Sequence, residues 1–421
     1  MRKFPVLAIA VLLVAVSACG QEGSVGGPQA ASDPANERVI TVDHSYDDLV
    51  SYHWRFFPRS MKARAGDTIV FRRQFTGEPH TVVLGTIGAD AVDAVEKIDF
   101  KYANVGDDSS AEEKAEVERL ATEANQGLPP FAEYPNVAQS AAQPCYLETG
   151  SPPRDLDTPC SPEQQEQPKF NGKQTYYSSG LIPSSGPDAN EYRVPLADDI
   201  KPGQYRYYCA VHYPFMQGKI EVAGGEQELP PADQVEKTWK GSLSALENPL
   251  REALAAAQKN QATLHDVKLQ LPLAGLYSHP EFSVGIAEFL PKTIETRVGE
   301  PVTWTFLWGH TISFNAPSNV PAFVTEEDGT VRRNPMVDQP AGGSPPVEPL
   351  DFDLPRLVAQ TRFSNIRRVD GGTWNGEGFF SSGLIGSEPY ATYTLRVSKA
   401  GSYQYSCLLH PGMVGTLDVR E

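Results

Sequence analysis

Cysteine and methionine are scarce, five of each in 421 residues. So few cysteines exclude a small disulfide-built scaffold and leave each one to be accounted for singly. Basic residues are short as well, 36 against 53 acidic ones, for a formal net charge of −17. That balance excludes a protein that grips nucleic acid by neutralising phosphates and suits an acidic surface with basic partners. Long apolar runs are missing outside the very start, so no later segment reads as a membrane-spanning helix. What remains is a soluble chain too long for one ordinary core, and the expectation is two domains with linkers.

The start is different in kind. "MRKFPVLAIAVLLVAVSACG" carries Arg2 and Lys3, then an apolar stretch from Val6 to Val16, then small residues before Cys19. A short basic region, an apolar core and small residues are the pattern of an export signal. "VSAC" resembles a bacterial lipobox, in which the cysteine is acylated and becomes the mature N-terminus. Residues 1–18 are therefore expected to be a lipoprotein signal peptide, with lipid on Cys19. The Gly-, Ser- and Pro-rich residues 19–37 are expected to be a flexible tether. Without Arg2 and Lys3, 34 basic residues face 53 acidic ones, a charge of −19. Cys145 and Cys160 share one Pro-rich segment in a compartment where disulfides persist; if paired, they close a loop worth about 3 kcal/mol. Cys209 and Cys407 are left over.

An internal repeat organises the rest. "FFPRSMKARAGDTIVF" (Phe56 to Phe71) aligns without gaps on "FLPKTIETRVGEPVTW" (Phe289 to Trp304). "YYSSGLI" at Tyr176 returns as "FFSSGLI" at Phe379, and "GQYRYYCAVH" at Gly203 returns as "GSYQYSCLLH" at Gly401. Three matched blocks in one order mean two copies of one domain, with loops where the spacing differs. The blocks alternate apolar and polar residues between Gly- and Pro-containing turns, which predicts short strands in an antiparallel β-sandwich. The predicted boundaries are 38–224 for the first domain, with an insertion over about 85–170, and 268–421 for the second. Residues 225–267 form a helical linker, whose Trp239, Leu243, Leu246, Leu250 and Leu254 make an apolar stripe. Pro249 predicts two helices or a kink there. Within the insertion, the stretch 109–127 also reads as helix.

In each copy a histidine follows the second matched strand, His80 in "GEPHTVVLG" and His310 in "LWGHTISFN". Downstream come Cys209, His212 and Met216 in one copy and Cys407, His410 and Met413 in the other. Sulfur and imidazole donors together favour copper, and a His₂Cys set with a weak axial Met is an electron-transfer copper pattern. A structural zinc site wants four strong ligands, and methionine is not one. Cysteine ends a strand, histidine follows in the turn and methionine precedes the next strand, so one short loop offers three donors.

On these residues the repeats resemble the cupredoxins, the plastocyanin/azurin-type blue copper proteins, and the loops "CAVHYPFM" and "CLLHPGM" look most like that of amicyanin. The resemblance covers both repeats but not the insertion, the tether or the linker. It implies two Greek-key sandwiches and two type 1 coppers, one held by His80, Cys209, His212 and Met216, the other by His310, Cys407, His410 and Met413. It also implies that His212 and His410 are electron ports at an apolar docking surface. Thr81 and Thr311 stand where many members have Asn, so hydrogen bonding around the loops is expected to differ. Three residues separate His212 from Met216 and two separate His410 from Met413, so the two axial geometries and potentials are expected to differ.

The implied activity is electron transfer by an exported protein anchored through Cys19 at the outer face of the cytoplasmic membrane or in the periplasm. Its expected partners are that membrane and a basic redox protein, a cytochrome or an oxidoreductase, and not nucleic acid. Copper storage or delivery would use the same residues. An oxidoreductase would need further copper ligands, yet no His-x-His occurs and no histidine adjoins Cys209 or Cys407. His44, His53, His265 and His279 stand singly, and surface or hydrogen-bonded roles are expected for them.

Overall fold

The alternating segments are strands in the computed structural model, which describes residues 36–89, 138–184, 189–212, 216–225, 227–259, 271–277, 284–307, 309–344, 367–385 and 391–421, with a few isolated positions between them. The leader with Cys19, nearly all of the tether, His265, His279 and most of the stretch 109–127 lie outside the described residues. At the start of that stretch a capping box is formed: Glu113 N donates to Ser110 Oγ (3.2 Å), and Ser110 N donates to the Glu113 carboxylate (3.0 Å).

Two β-layers build each repeat. In the first, one layer has the order Phe56–Phe57, Glu37–Val42, Thr68–Arg73, Glu191–Pro195. Facing it are Ser60–Ala63, Gln217–Val222, Gly203–Tyr208, Thr81–Leu84, Tyr176–Leu181 and Cys145–Leu147. The second repeat has Ser51–His53, Val284–Leu290, Leu273–Tyr277, Pro301–Phe306, Thr392–Val397, Arg368–Trp374 in one layer. Its other layer runs Thr293–Arg297, Val414–Arg420, Gly401–Ser406, Ser313–Phe314, Phe380–Ser381. The sheets are mixed rather than purely antiparallel. The chain changes layer after Phe57 and after Leu290, and on returning it pairs parallel with an earlier strand, Thr68–Arg73 beside Glu37–Val42 and Thr305–Phe306 beside Leu273–Ala274.

The same aromatic triad joins the layers in both repeats. Tyr207 meets Phe56 and Phe71 edge-on at 4.9 and 5.0 Å, and Tyr405 meets Phe289 and Trp304 at 4.7 and 5.6 Å. These are matched positions of the repeat, all fully buried. Strands with one wet face, such as Thr392–Val397, bury every second residue, as the alternation predicts. Val284–Leu290 is buried throughout because Ser51–His53 covers its edge and the linker helix lies on it.

That edge pairing joins the two repeats. His53 pairs with Val284, Tyr52 with Gly285 and Ser51 with Ile286. Extending the gap-free alignment upstream from Phe56 and Phe289 makes Tyr52 the counterpart of Gly285. A segment pairing antiparallel with its own repeat, centred on two equivalent residues, is the arrangement of a local two-fold axis. Glycine is needed opposite tyrosine: a Cβ on Gly285 would lie 2.4 Å from the Tyr52 ring.

The linker forms one helix, Ala232–Gln258, that continues through Pro249 instead of breaking there. Leu243, Leu250 and Ala257 are buried on either side of the proline, and their packing outweighs the missing hydrogen bond, a loss of about 3 kcal/mol. The described part of the insertion, tied by the Cys145–Cys160 disulfide, reaches across to the second repeat. Gln139 exchanges two hydrogen bonds with the backbone of Val331 (2.7 and 2.8 Å), and Gln143 Nε2 donates to Gly329 O (2.6 Å). From residue 36 onward the described residues pack as one unit.

Candidate metal centres

His80 immediately precedes the strand Thr81–Leu84, Cys209 follows Gly203–Tyr208, and Met216 precedes Gln217–Val222. Tyr208 pairs with Val83 on one side and with Gln217 on the other, so three neighbouring strand ends converge. Cys209 Sγ lies 3.9 Å from His80 Nδ1 and 3.8 Å from His212 Nδ1, and the two Nδ1 atoms are 3.2 Å apart. The second centre repeats this: Cys407 Sγ is 3.9 Å from His310 Nδ1 and 3.5 Å from His410 Nδ1, which are 3.0 Å from each other. All six residues are buried. Among the described residues these are the only two groups of three or more His, Cys, Asp or Glu whose donor atoms converge.

Met216 and Met413 are fully buried and close their loops identically. Met216 N donates to His212 O and Cys209 N to Met216 O; Met413 N donates to His410 O and Cys407 N to Met413 O, all between 2.9 and 3.1 Å. The additional residue before Met216 falls within 213–215, outside the described residues. Thr81 and Thr311 steady the loops. The Thr81 hydroxyl accepts from Ala210 N (2.8 Å) and the Thr311 hydroxyl from Leu408 N (2.9 Å), while Thr81 N donates to Cys209 Sγ (3.4 Å).

Burial opposes charge on both thiols, but hydrogen bonds and charge from the paired histidines hold Cys209 and Cys407 well below the usual thiol range. Burial likewise opposes charge on His212 and His410; their cysteines and Glu78 hold them up at about 9 and about 10. Each centre thus holds a thiolate against a protonated ring, His212 or His410, whose Nδ1 proton must leave for metal to bind. A thiolate and two Nδ1 donors in a dry pocket, beside a buried methionine, are a soft and borderline donor set that fits copper.

Beyond the donors the centres diverge. With Nδ1 turned inward, His80 Nε2 donates to Asp43 Oδ2 (2.8 Å). Asp43 is itself held by Thr76 Oγ1 (2.6 Å) and by the backbone N–H groups of His44 (2.6 Å) and His53 (2.5 Å). His310 Nε2 is buried and has no hydrogen-bond partner among the described residues. Burial lowers both histidines, but at His80 the hydrogen bonds to Asp43 and Cys209 and the Asp43 charge together outweigh it, so His80 is raised where His310 is lowered. Strand register explains the contrast. Thr41 pairs with Arg72 as Leu273 pairs with Thr305, which makes Asp43 and Gly275 equivalent positions. Both take positive φ, +63° and +78°, and a Cβ on Gly275 would come within 2.3 Å of His310 Nε2. One position gives one centre a carboxylate and lets the other take only a glycine.

His212 and His410 do not open onto a docking surface. They are 8% and 1% exposed, and the two-fold pairing turns their loops toward each other. Between them lies Glu78: His212 Nε2 donates to Glu78 Oε2 (3.0 Å) and His410 Nε2 to Oε1 (2.9 Å). Burial would raise Glu78, but both rings together hold it well below the usual carboxylate range. Trp54 stacks on the His212 ring at 4.8 Å, Tyr52 on the His410 ring at 5.6 Å, and the two stack on each other at 5.4 Å. Sequence reasoning missed Asp43, Glu78, Tyr52 and Trp54, since each acts on a histidine remote in the chain. His53 is hydrogen-bonded through both ring nitrogens, to His44 O (2.8 Å) and the Tyr46 hydroxyl (3.4 Å), and burial pushes it down to about 4.

No family model matches the chain, and no curated protein is similar to it. Solved structures that share local likeness include forms of amicyanin. A mutant in its reduced Cu(I) form at pH 4 is 17% identical over 32% of this chain and 74% of that one, with a TM-score of 0.17. An oxidized mutant is 16% identical with the same coverage and TM-score. A TM-score this low leaves the reading of the centres to their own geometry.

Proposed function

We propose that the chain is an exported copper protein, held at a membrane surface through lipid on Cys19, which carries single electrons through two type 1 centres. The observation that carries this reading is the twofold convergence of one cysteine sulfur and two Nδ1 atoms at buried strand ends. Copper bound there would supply a one-electron couple between Cu(I) and Cu(II). Cys209 with His80 and His212, and Cys407 with His310 and His410, would hold it, with Met216 and Met413 as weaker thioether donors. Strand pairing, the closed loops and the threonine hydroxyls fix these donors before metal arrives, so a change of oxidation state needs little rearrangement of the protein.

The disulfide supports the exported location, since such bonds persist in oxidising compartments. The net charge of −17 supports a basic redox protein as partner. Copper loading followed by absorption and electron paramagnetic resonance tests the reading. Two coppers per chain and an intense band toward the red are expected, with half the band lost in Cys209→Ser and half in Cys407→Ser. A colourless protein that binds one equivalent or none would end it.

A further inference from the structure

The carboxylate between the two centres is the feature their separate chemistry does not require. A single metal centre would be complete with His212 or His410 facing outward. Here each ring spends its outer N–H on a different oxygen of Glu78, at 3.0 and 2.9 Å. The contact is built and not incidental. Gly77, at φ +104°, lies so close to the second ligand loop that a Cβ there would meet Leu409 O at 2.3 Å. Trp54 and Tyr52, both 1% exposed, fill the space alongside as a stack from ring to ring. All of this comes from the first repeat, where Glu78, Trp54 and Tyr52 correspond to Trp308, Ala287 and Gly285 of the second.

We infer that Glu78 joins the two centres into one electron path, so that an electron delivered to either redistributes inside the chain through His212, Glu78 and His410, flanked by Trp54 and Tyr52. The inference rests on the copper reading above. In the step, one centre loses the electron that the other gains; no bond forms or breaks, and the two N–H protons stay on their rings. The first electron comes from an external one-electron donor. Because both rings are enclosed, that donor reaches the centres by another face.

A charge-assisted bond from each ring to a shared carboxylate is short and directional, which favours electronic contact through it. Glutamine is the informative replacement. Its amide has one accepting oxygen, and its NH₂ meets the second ring donor to donor, so Glu78→Gln breaks one side of the bridge at nearly constant volume.

The test uses the full chain loaded with copper and reduced by a photogenerated radical at less than one electron per chain. The spectra of Cys209→Ser and Cys407→Ser identify each centre's band. The wild type is expected to redistribute the electron between bands at a rate independent of protein concentration. Glu78→Gln and Glu78→Ala should slow this by at least an order of magnitude while both bands persist. In the metal-free chain, nitrogen-resolved NMR should show the Nε2–H groups of His212 and His410 exchange-protected beside that of His80 on Asp43, with one of the first two lost in Glu78→Gln, both lost in Glu78→Ala and that of His80 kept in each. A rate unchanged in both variants, or one that scales with protein concentration, overturns the inference and leaves the copper reading intact. Absence of any copper band overturns both. Should Glu78→Ala fail to fold, Glu78→Gln decides.

Discussion

At the first centre the outer nitrogen of the upstream histidine ends on a carboxylate; at the second it ends against a glycine. Nearer the metal position the two share the Nδ1 and Sγ convergence, the hydrogen bonds that close the loop, the threonine hydroxyl and the face turned to Glu78. Asp43 makes the His80 ring a more basic donor and favours the more highly charged metal. His310 has no such support. The two repeats therefore differ at a backbone position of matching left-handed conformation, and the first centre is expected to hold the lower reduction potential.

The largest effect should come from closing the gap at Gly275. Gly275→Ala places a side chain in the left-handed region and within 2.3 Å of His310 Nε2. Strain and overpacking should cost about 3 kcal/mol in denaturant unfolding. Copper titration of this variant should show the second centre weakened and the first intact. Equal loss at both would mean that the glycine matters to the whole fold rather than to one centre.

Asp43→Asn isolates charge from shape, because asparagine also tolerates positive φ. Replacing a charge-assisted bond by a neutral one should shift the first centre's preference for the oxidised metal by about 2 kcal/mol. Spectroelectrochemistry should then find its potential raised toward that of the second. If the gap between the two potentials does not narrow, the Asp43 and Gly275 contrast is not what separates them.

The smallest effects should be equal ones. Thr81→Val and Thr311→Val each strand a loop N–H, that of Ala210 or of Leu408, at about 1 kcal/mol apiece. Thermal unfolding should show similar losses. Unequal losses would extend the divergence to a position that looks alike in both repeats.

Legibility in the sequence followed the range of the interaction. The converging cysteine and histidine were readable because they lie within one turn, and because the turn recurs after matching strands. Thr81 and Thr311 were readable as a departure, although not as the groups that take over the loop N–H. The expectation that the centres differ beside Met216 rests on residues outside those described, whereas the difference on view lies at Asp43, just past one strand, and at Gly275, inside its counterpart, which no motif marks. His212 and His410 were expected to face outward because an isolated domain would leave them there. Pro249 was expected to divide the linker into two helices or to kink it, and the packing of Leu243 and Leu250 carries one helix through it.

The sequence by itself determined the repeat, the β-layers and two buried cysteine and histidine groups, since strand alternation and residue spacing are properties of neighbouring residues. Only the tertiary structure decided that the centres face each other across Glu78, and that one is backed by Asp43 while the other is not. Those contacts follow from pairing Ser51–His53 with Val284–Leu290 about a local two-fold axis. Such pairing is fixed by how whole surfaces pack, and it brings together side chains that the chain itself keeps far apart.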